Sequence, residues 1–138
     1  MPEFPEPSPE VAARMADSER IGNAVVAHIN SGADSDEPIW AEHYHPNYAS
    51  IEADGMTHTG LDQIREKHAQ WFGMFDVHGV KAEGPYITQN GFCVRLEMDV
   101  EAKDGSMPRM QMAEIGHYTV EGGKVTREEF FTPPMTRG

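Results

Sequence analysis

An α+β fold built on one antiparallel sheet is the architecture this sequence predicts. Apolar residues at helical spacing dominate up to Phe75, whereas apolar and polar residues alternate beyond it. Three glycine turns, Asn90-Gly91, Asp104-Gly105 and Gly122-Gly123, cut the second half into long strands. Helices first and strands afterwards is the order of an α+β domain, not of alternating βαβ units.

Each element has a local reason. Ser8-Pro9-Glu10 starts a helix, with a capping hydroxyl, a proline in the first turn and an acid near the positive end. Ile21, Val25 and Ile29, flanked by Ala24 and His28, give it an inner face as far as Asn30, and Gly32 ends it. A short helix over Glu37–Tyr44 is anchored by Ile39 and Trp40 and stopped by His45-Pro46. Tyr48–Ala53 reads as a strand, Asp54-Gly55 as a turn and Met56–His58 as a short return strand. Leu61, Ile64, His68, Trp71, Phe72 and Phe75 recur in steps of three and four and predict a third, amphipathic helix. Strands are expected over His78–Thr88, Phe92–Ala102, Met110–Val120 and Lys124–Phe131. The domain spans residues 9–132, between a Pro- and Glu-rich tail at 1–8 and a short tail at 133–138.

A formal charge of −12, with only 11 scattered Lys and Arg, argues against nucleic acid and acidic membrane surfaces as partners. No apolar stretch approaches the ~20 residues of a membrane span, and no basic segment precedes an apolar run at the start. A cytoplasmic protein is expected. The single cysteine, Cys93, rules out an internal disulfide and reads as inert core. Nine methionines, several of them on strands (Met98, Met110, Met112), suit an irregular apolar cavity.

Carboxylates inside apolar strands are the main chemical signal. Glu114 shares a face with Met112 and Gly116, and a carboxylate there must be hydrogen-bonded, paired or protonated. If the loop at Glu121-Gly122-Gly123 has three residues, Gly116 pairs with Glu128 and Glu114 with Phe130. One face then collects Met110, Met112, Glu114, Gly116, Tyr118, Thr126, Glu128 and Phe130. A two-residue loop turns Glu129 inward instead; the longer loop gathers the more apolar set and is preferred. Glu52, Glu114 and Glu128 then converge, which raises at least one of their pKa values and suits proton exchange with a carbon acid or water. Gly116 would leave room for a ligand beside them. The structural alternatives are an Arg95–Glu114 cross-strand pair, if Asp104-Gly105 is a two-residue turn, and contacts of Glu128 with Lys124 or Arg127 at the surface.

Seven histidines invite a metal reading, but no pair on a long strand has ligand spacing, so no metal site is expected. His68 reads as a core histidine, and His58 as a proton-transfer partner near Glu52. Tyr44, Tyr48, Trp71, Phe75 and Tyr118 read mainly as core-builders, a few of which would also wall a pocket, with the Tyr44 and Tyr118 phenols able to orient a carbonyl or hydroxyl.

Ser50-Ile-Glu-Ala53 after a Trp-bearing short helix, Gly60-Leu-Asp-Gln-Ile-Arg-Glu-Lys67, Met112-Ala-Glu-Ile115, Tyr118-Thr-Val-Glu-Gly-Gly-Lys-Val125 and Glu128-Glu-Phe-Phe131 resemble the NTF2-like superfamily. The likeness is to its SnoaL-like branch of polyketide cyclases and steroid isomerase-type enzymes, and it covers residues 10–131. The resemblance implies a curved sheet wrapped around the N-terminal and third helices, an apolar pocket at the open end of the cone, and a homodimer formed through the outer sheet face. The isomerases' base falls at Glu52, whereas their tyrosine and strand acid fall at Val25 and Gly116. That departure argues against their constellation. Two functions are compatible: a cofactor-independent isomerase, cyclase, dehydratase or hydrolase acting on an apolar oxygenated molecule, with Glu52 as base and Glu114 and Glu128 polarising the substrate or water; or a non-catalytic ligand-binding or assembly module.

Overall fold

The computed structural model describes residues 5–133, so parts of the two expected tails, residues 1–4 and 134–138, lie outside the described residues. Helix α1 (Pro9–Asn30) opens the chain, capped by the Ser8 hydroxyl accepting the Val11 amide at 3.2 Å. It is followed by α2 (Glu37–His43), β1 (Tyr44–Ile51), β2 (Thr57–Thr59) and α3 (Leu61–Met74). The long strands β3 (Phe75–Ile87), β4 (Gly91–Ala102), β5 (Met110–Glu121) and β6 (Lys124–Phe131) complete it. They form one six-stranded sheet in the order β2-β1-β6-β5-β4-β3. Neighbours are antiparallel except β1, which lies parallel to β6. No helix among the described residues is long and apolar enough to cross a membrane.

Helix α1 fills the hollow of the curved sheet. Ile21 and Val25 are buried against Phe92, Val94, Tyr118 and Val120 from the inner faces of β4 and β5. Close approach depends on Gly22, where a Cβ would stand 2.6 Å from the Pro85 ring. At the far end of α1 the Asn30 amide donates to the Ala82 carbonyl (3.0 Å) and accepts from its N–H (2.8 Å). That pair satisfies backbone groups on β3, the edge strand, and ties helix to sheet. Helix α3 packs more loosely: of its predicted inner residues only Ile64 is fully buried, and Phe72 is 51% exposed.

Several local expectations change. Strand β1 begins at Tyr44, taking in His45-Pro46, and a register irregularity between Tyr44 and Ala49 accommodates the proline, which has no N–H to donate. Helix α3 stops at Met74, so Phe75 opens β3 instead of closing the helix. Glu114 stands opposite Leu96, and Arg95 opposite Ile115, so the Arg95–Glu114 pair does not form. The reason is the connection over 103–109. Asp104 Oδ1 captures the Ser106 amide at 2.9 Å and Pro108 cannot donate, so no two-residue hairpin closes. Arg95 turns to Glu97 on its own strand.

The last hairpin also departs from expectation. Glu121 pairs with Lys124 around Gly122-Gly123, both at positive φ, so the loop has two residues, not three. Taken alone this would turn Glu129 inward. A bulge restores the face: Val120 pairs with Val125 but Thr119 with Arg127, leaving Thr126 as the extra residue. Tyr118 therefore stands opposite Glu128 and Gly116 opposite Phe130. Val125, not Thr126, joins the inner face.

Candidate functional site

The inner face of β1, β6 and β5 carries a polar cluster inside an aromatic setting. Glu128 sits at its centre on β6, 6% exposed, with Ser50 of β1 on one side and Tyr118 of β5 on the other. The Tyr44 hydroxyl donates toward Glu128 Oε2 at 3.5 Å. Tyr44 and Tyr48 meet edge to face at 4.7 Å, while Tyr118 stacks on Phe92 at 4.8 Å. The Tyr48 hydroxyl, on a residue 1% exposed, is buried with no hydrogen bond of acceptable geometry, although the Trp40 indole is near enough to ease its ionisation.

Burial dominates the electrostatics here. It pushes the Glu128 carboxyl from 4.5 up to about 7; the Lys67 ammonium and the Ser50 hydroxyl pull the other way, and the negative charges of Asp36 and Glu52 add to the rise. Glu114, half-buried on β5, is raised by burial and then by repulsion from Glu52, with Lys67 opposing. Burial and the nearby Glu128 carboxylate also raise the Tyr44, Tyr48 and Tyr118 phenols, which stay neutral donors at physiological pH. A carboxyl poised near neutrality beside neutral phenols can both exchange a proton and hydrogen-bond a developing oxyanion.

The other expected residues are placed as follows. Glu52, at the β1–β2 turn, is engaged by Lys67 Nζ at 2.6 Å, which makes it a paired carboxylate. His58 lies on β2 opposite Ser50, one diagonal step from Glu52. Met112 is on the inner face opposite Met98. The space expected above Gly116 is filled: lacking a Cβ, Gly116 lets the Tyr118 and Phe130 rings close over it, to 2.9 and 3.2 Å from where a Cβ would be. Trp71 and Phe75 pack on each other at 4.3 Å. Phe75 pairs with Ala102, about 20 Å along β4 from the level of Glu114, so it walls a different part of the sheet. It lines a surface hollow of about 220 Å³ with Met74 and Lys103, and a second hollow of about 270 Å³ lies around Val80, Met98 and Gln111. Neither hollow touches Glu128. Glu128 itself meets neither Lys124 nor Arg127: Lys124 reaches the Glu42 carbonyl, and Arg127 pairs with Glu129 at 3.0 Å.

Sequence reasoning missed Ser50 and Lys67. Lys67 projects from α3 on the face of Ile64 and Trp71, and its Nζ lies 2.9 Å from Ser50 Oγ. A lone lysine three residues after Ile64 and four before Trp71 was the available signal. A second polar link joins the helices: Asp36 holds His28 at 3.0 Å and approaches His68 at 3.7 Å, and burial lowers the His68 pKa. Among the described residues no three His, Cys, Asp or Glu are arranged to hold a metal ion.

The pattern of the SnoaL-like domain matches residues 32–132. Among solved structures, a protein from Mesorhizobium loti named as a SnoaL-like polyketide cyclase superposes with a TM-score of 0.73 at 29% identity, covering 82% of this chain and 97% of that one. One from Jannaschia sp. CCS1, named likewise, gives a TM-score of 0.68 at 17% identity, covering 94% and 91%. A Catenulispora acidiphila protein with a ketosteroid isomerase-like fold, in complex with trimethylamine, gives 0.65 at 16%, covering 83% and 85%. No curated protein sequence matches significantly.

Proposed function

The chain belongs to the SnoaL-like domain family, and on that premise we propose that it binds a small apolar, oxygen-bearing molecule on the inner face of its sheet and exchanges a proton with it through Glu128. The observation that carries this reading is a carboxyl group 6% exposed, lifted to about 7 by burial, with the Tyr44 phenol 3.5 Å away. Glu128 takes the acid–base role that the sequence assigned to Glu52, because Glu52 is already held by Lys67. Glu114 would polarise the ligand from β5, and the unpartnered Tyr48 hydroxyl would hydrogen-bond an oxygen on it. Proton transfer of this kind uses side chains alone, as an isomerase, cyclase, dehydratase or hydrolase of this family would need.

A ligand screen by thermal shift at pH 7, using apolar ketones, enols and phenols, tests it. At a concentration 100 times Kd, a ligand stabilises the native state by about 2.7 kcal/mol. The shift should fall to near zero in Glu128→Gln and be reduced in Glu114→Gln. Hits that stabilise Glu128→Gln as much as wild type would place the ligand elsewhere.

The alternative reading, an assembly module, is favoured by the outer sheet face. Tyr86 (58% exposed) and Phe131 (50% exposed) share it with Cys93 and Ile115. Apolar residues interleaved with Arg95, His117 and Glu129 on one sheet face suit a second copy of the chain. Light scattering coupled to size exclusion should give a dimer for wild type and a monomer for the double variant Tyr86→Glu/Phe131→Glu. A wild-type monomer, or a double variant that remains dimeric, would remove this face as the interface.

A further inference from the structure

Among the described residues, Lys67 is the ammonium that reaches the carboxylate cluster; the neighbouring His68 also faces Asp36 and Glu52, but burial disfavours its charged form. Its Nζ is 2.6 Å from Glu52 Oε1 and 2.9 Å from Ser50 Oγ, and it lies 5.6 Å from the centre of the Phe130 ring. The side chain is 19% exposed, so this ammonium interacts through little intervening water. Ser50 is fully buried and is the β1 partner of Glu128. The ammonium thus has two acidic claimants: Glu52 directly, and Glu128 across Ser50.

We propose that Lys67, held by Ser50, is the positioning residue that decides whether Glu128 keeps or releases its proton, and that Glu52 competes with Glu128 for that ammonium. The inference rests on the reading that Glu128 exchanges a proton with the bound molecule. Glu128 is faced by Tyr44, Tyr48 and Ser50 from β1, Tyr118 from β5, Lys67 from α3, Asp36 before α2 and Glu52 from the β1–β2 turn, whereas Glu114 faces Glu52 and Lys67. The phenols are held neutral, so Lys67 is the group in this shell that favours a charged Glu128 most strongly. Glu52 is the more exposed end of the chain of contacts, with 31% of its side chain open to solvent. A ligand donating a hydrogen bond to Glu52 would release Lys67 toward Glu128 and favour its basic form. Binding at Glu52 would then arm Glu128 as the base.

The test follows the Glu128 carboxyl by carbon NMR on glutamate-labelled protein, with the signal assigned by its loss in Glu128→Gln. Removing the cation in Lys67→Met should raise the Glu128 midpoint by about one pH unit or more, and Ser50→Ala should raise it less. Glu52→Gln should lower it, because Lys67 is freed and a repelling charge is gone. Lys67→Arg should restore a midpoint close to that of wild type. A purely structural Lys67 gives the opposite result: loosened packing would admit water and pull the Lys67→Met midpoint down. An unchanged or lowered midpoint in Lys67→Met, or an unchanged or raised one in Glu52→Gln, overturns the positioning role. If Lys67→Met does not fold, the direction of the Glu52→Gln shift decides alone. A wild-type midpoint in the ordinary glutamate range overturns the functional reading together with this one; a midpoint near neutrality that Lys67 does not control overturns only the positioning role.

Discussion

At pH 8.5 the Glu128→Gln variant is expected to unfold at a higher temperature than wild type, and at pH 4 the two are expected to unfold together. Burial moves the Glu128 carboxyl from 4.5 to about 7 on folding. The native state therefore binds this proton more tightly than the unfolded chain does. The resulting stability is fully present below pH 4.5 and is lost as the pH rises through about 7. The size of the displacement corresponds to about 3 kcal/mol at alkaline pH. Glutamine keeps the shape, can still accept from Tyr44 and never ionises, so it escapes that cost. For a chain of this length the gain is about 10 °C in Tm. Half-buried carboxylates such as Glu97 and Asp99, lowered by hydrogen bonds from Arg95 and Arg109, are common to both proteins and cancel in the difference. Calorimetric melts at the two pH values check the prediction. A Glu128→Gln variant that is less stable at both would mean that the native carboxylate is well compensated. The prediction has a functional corollary: a side chain that destabilises the protein at working pH is of the kind retained for chemistry.

Gly91→Ala is expected to cost about 4 kcal/mol, among the largest effects of a single small substitution. Gly91 opens β4 opposite Thr119, and a Cβ there would stand 1.7 Å from the Tyr118 carbonyl oxygen. That oxygen belongs to the backbone of β5, an interior strand paired on both sides, so it has little freedom to retreat. Moving it would disturb the Phe92–Tyr118 stack and, through Tyr118, the strand partner of Glu128. Gly105→Ala is the control. No atom lies within 4 Å of its added Cβ, and only the left-handed backbone, φ +76°, resists the change; this costs about 1 kcal/mol. Urea unfolding of the two variants should separate them clearly. Equal losses would show that β5 yields at Tyr118.

The fold was legible in the sequence because its signals are local and repeated. The cap at Ser8, the spacing from Ile21 to Ile29 and the alternation from Phe92 to Val100 each specify one element without help from the rest. Pairing registers were harder, since one residue reverses a face. The inward face of Glu128 was expected from a three-residue loop, yet it arises from a two-residue loop plus a bulge at Thr126, two changes of parity that cancel. No such cancellation occurs between β4 and β5, where a longer connection removed the expected Arg95–Glu114 pair. The candidate site was legible as a set of residue types and not as a network. Glu52 was expected to be a free base, but its partner Lys67 lies on a helix fifteen residues away, and no strand pattern reveals that contact. The room expected at Gly116 was lost for a similar reason, because the missing Cβ admitted the protein's own Tyr118 ring.

The proposed chemistry depends on a carboxyl group sheltered on the inner face of β6, between Ser50 and Tyr118, and held near neutrality by its surroundings. Titration of the Glu128 carboxyl in the wild-type protein by carbon NMR tests this most directly. The predicted midpoint is about 7. A midpoint at the ordinary glutamate value, about 4.3, would contradict it.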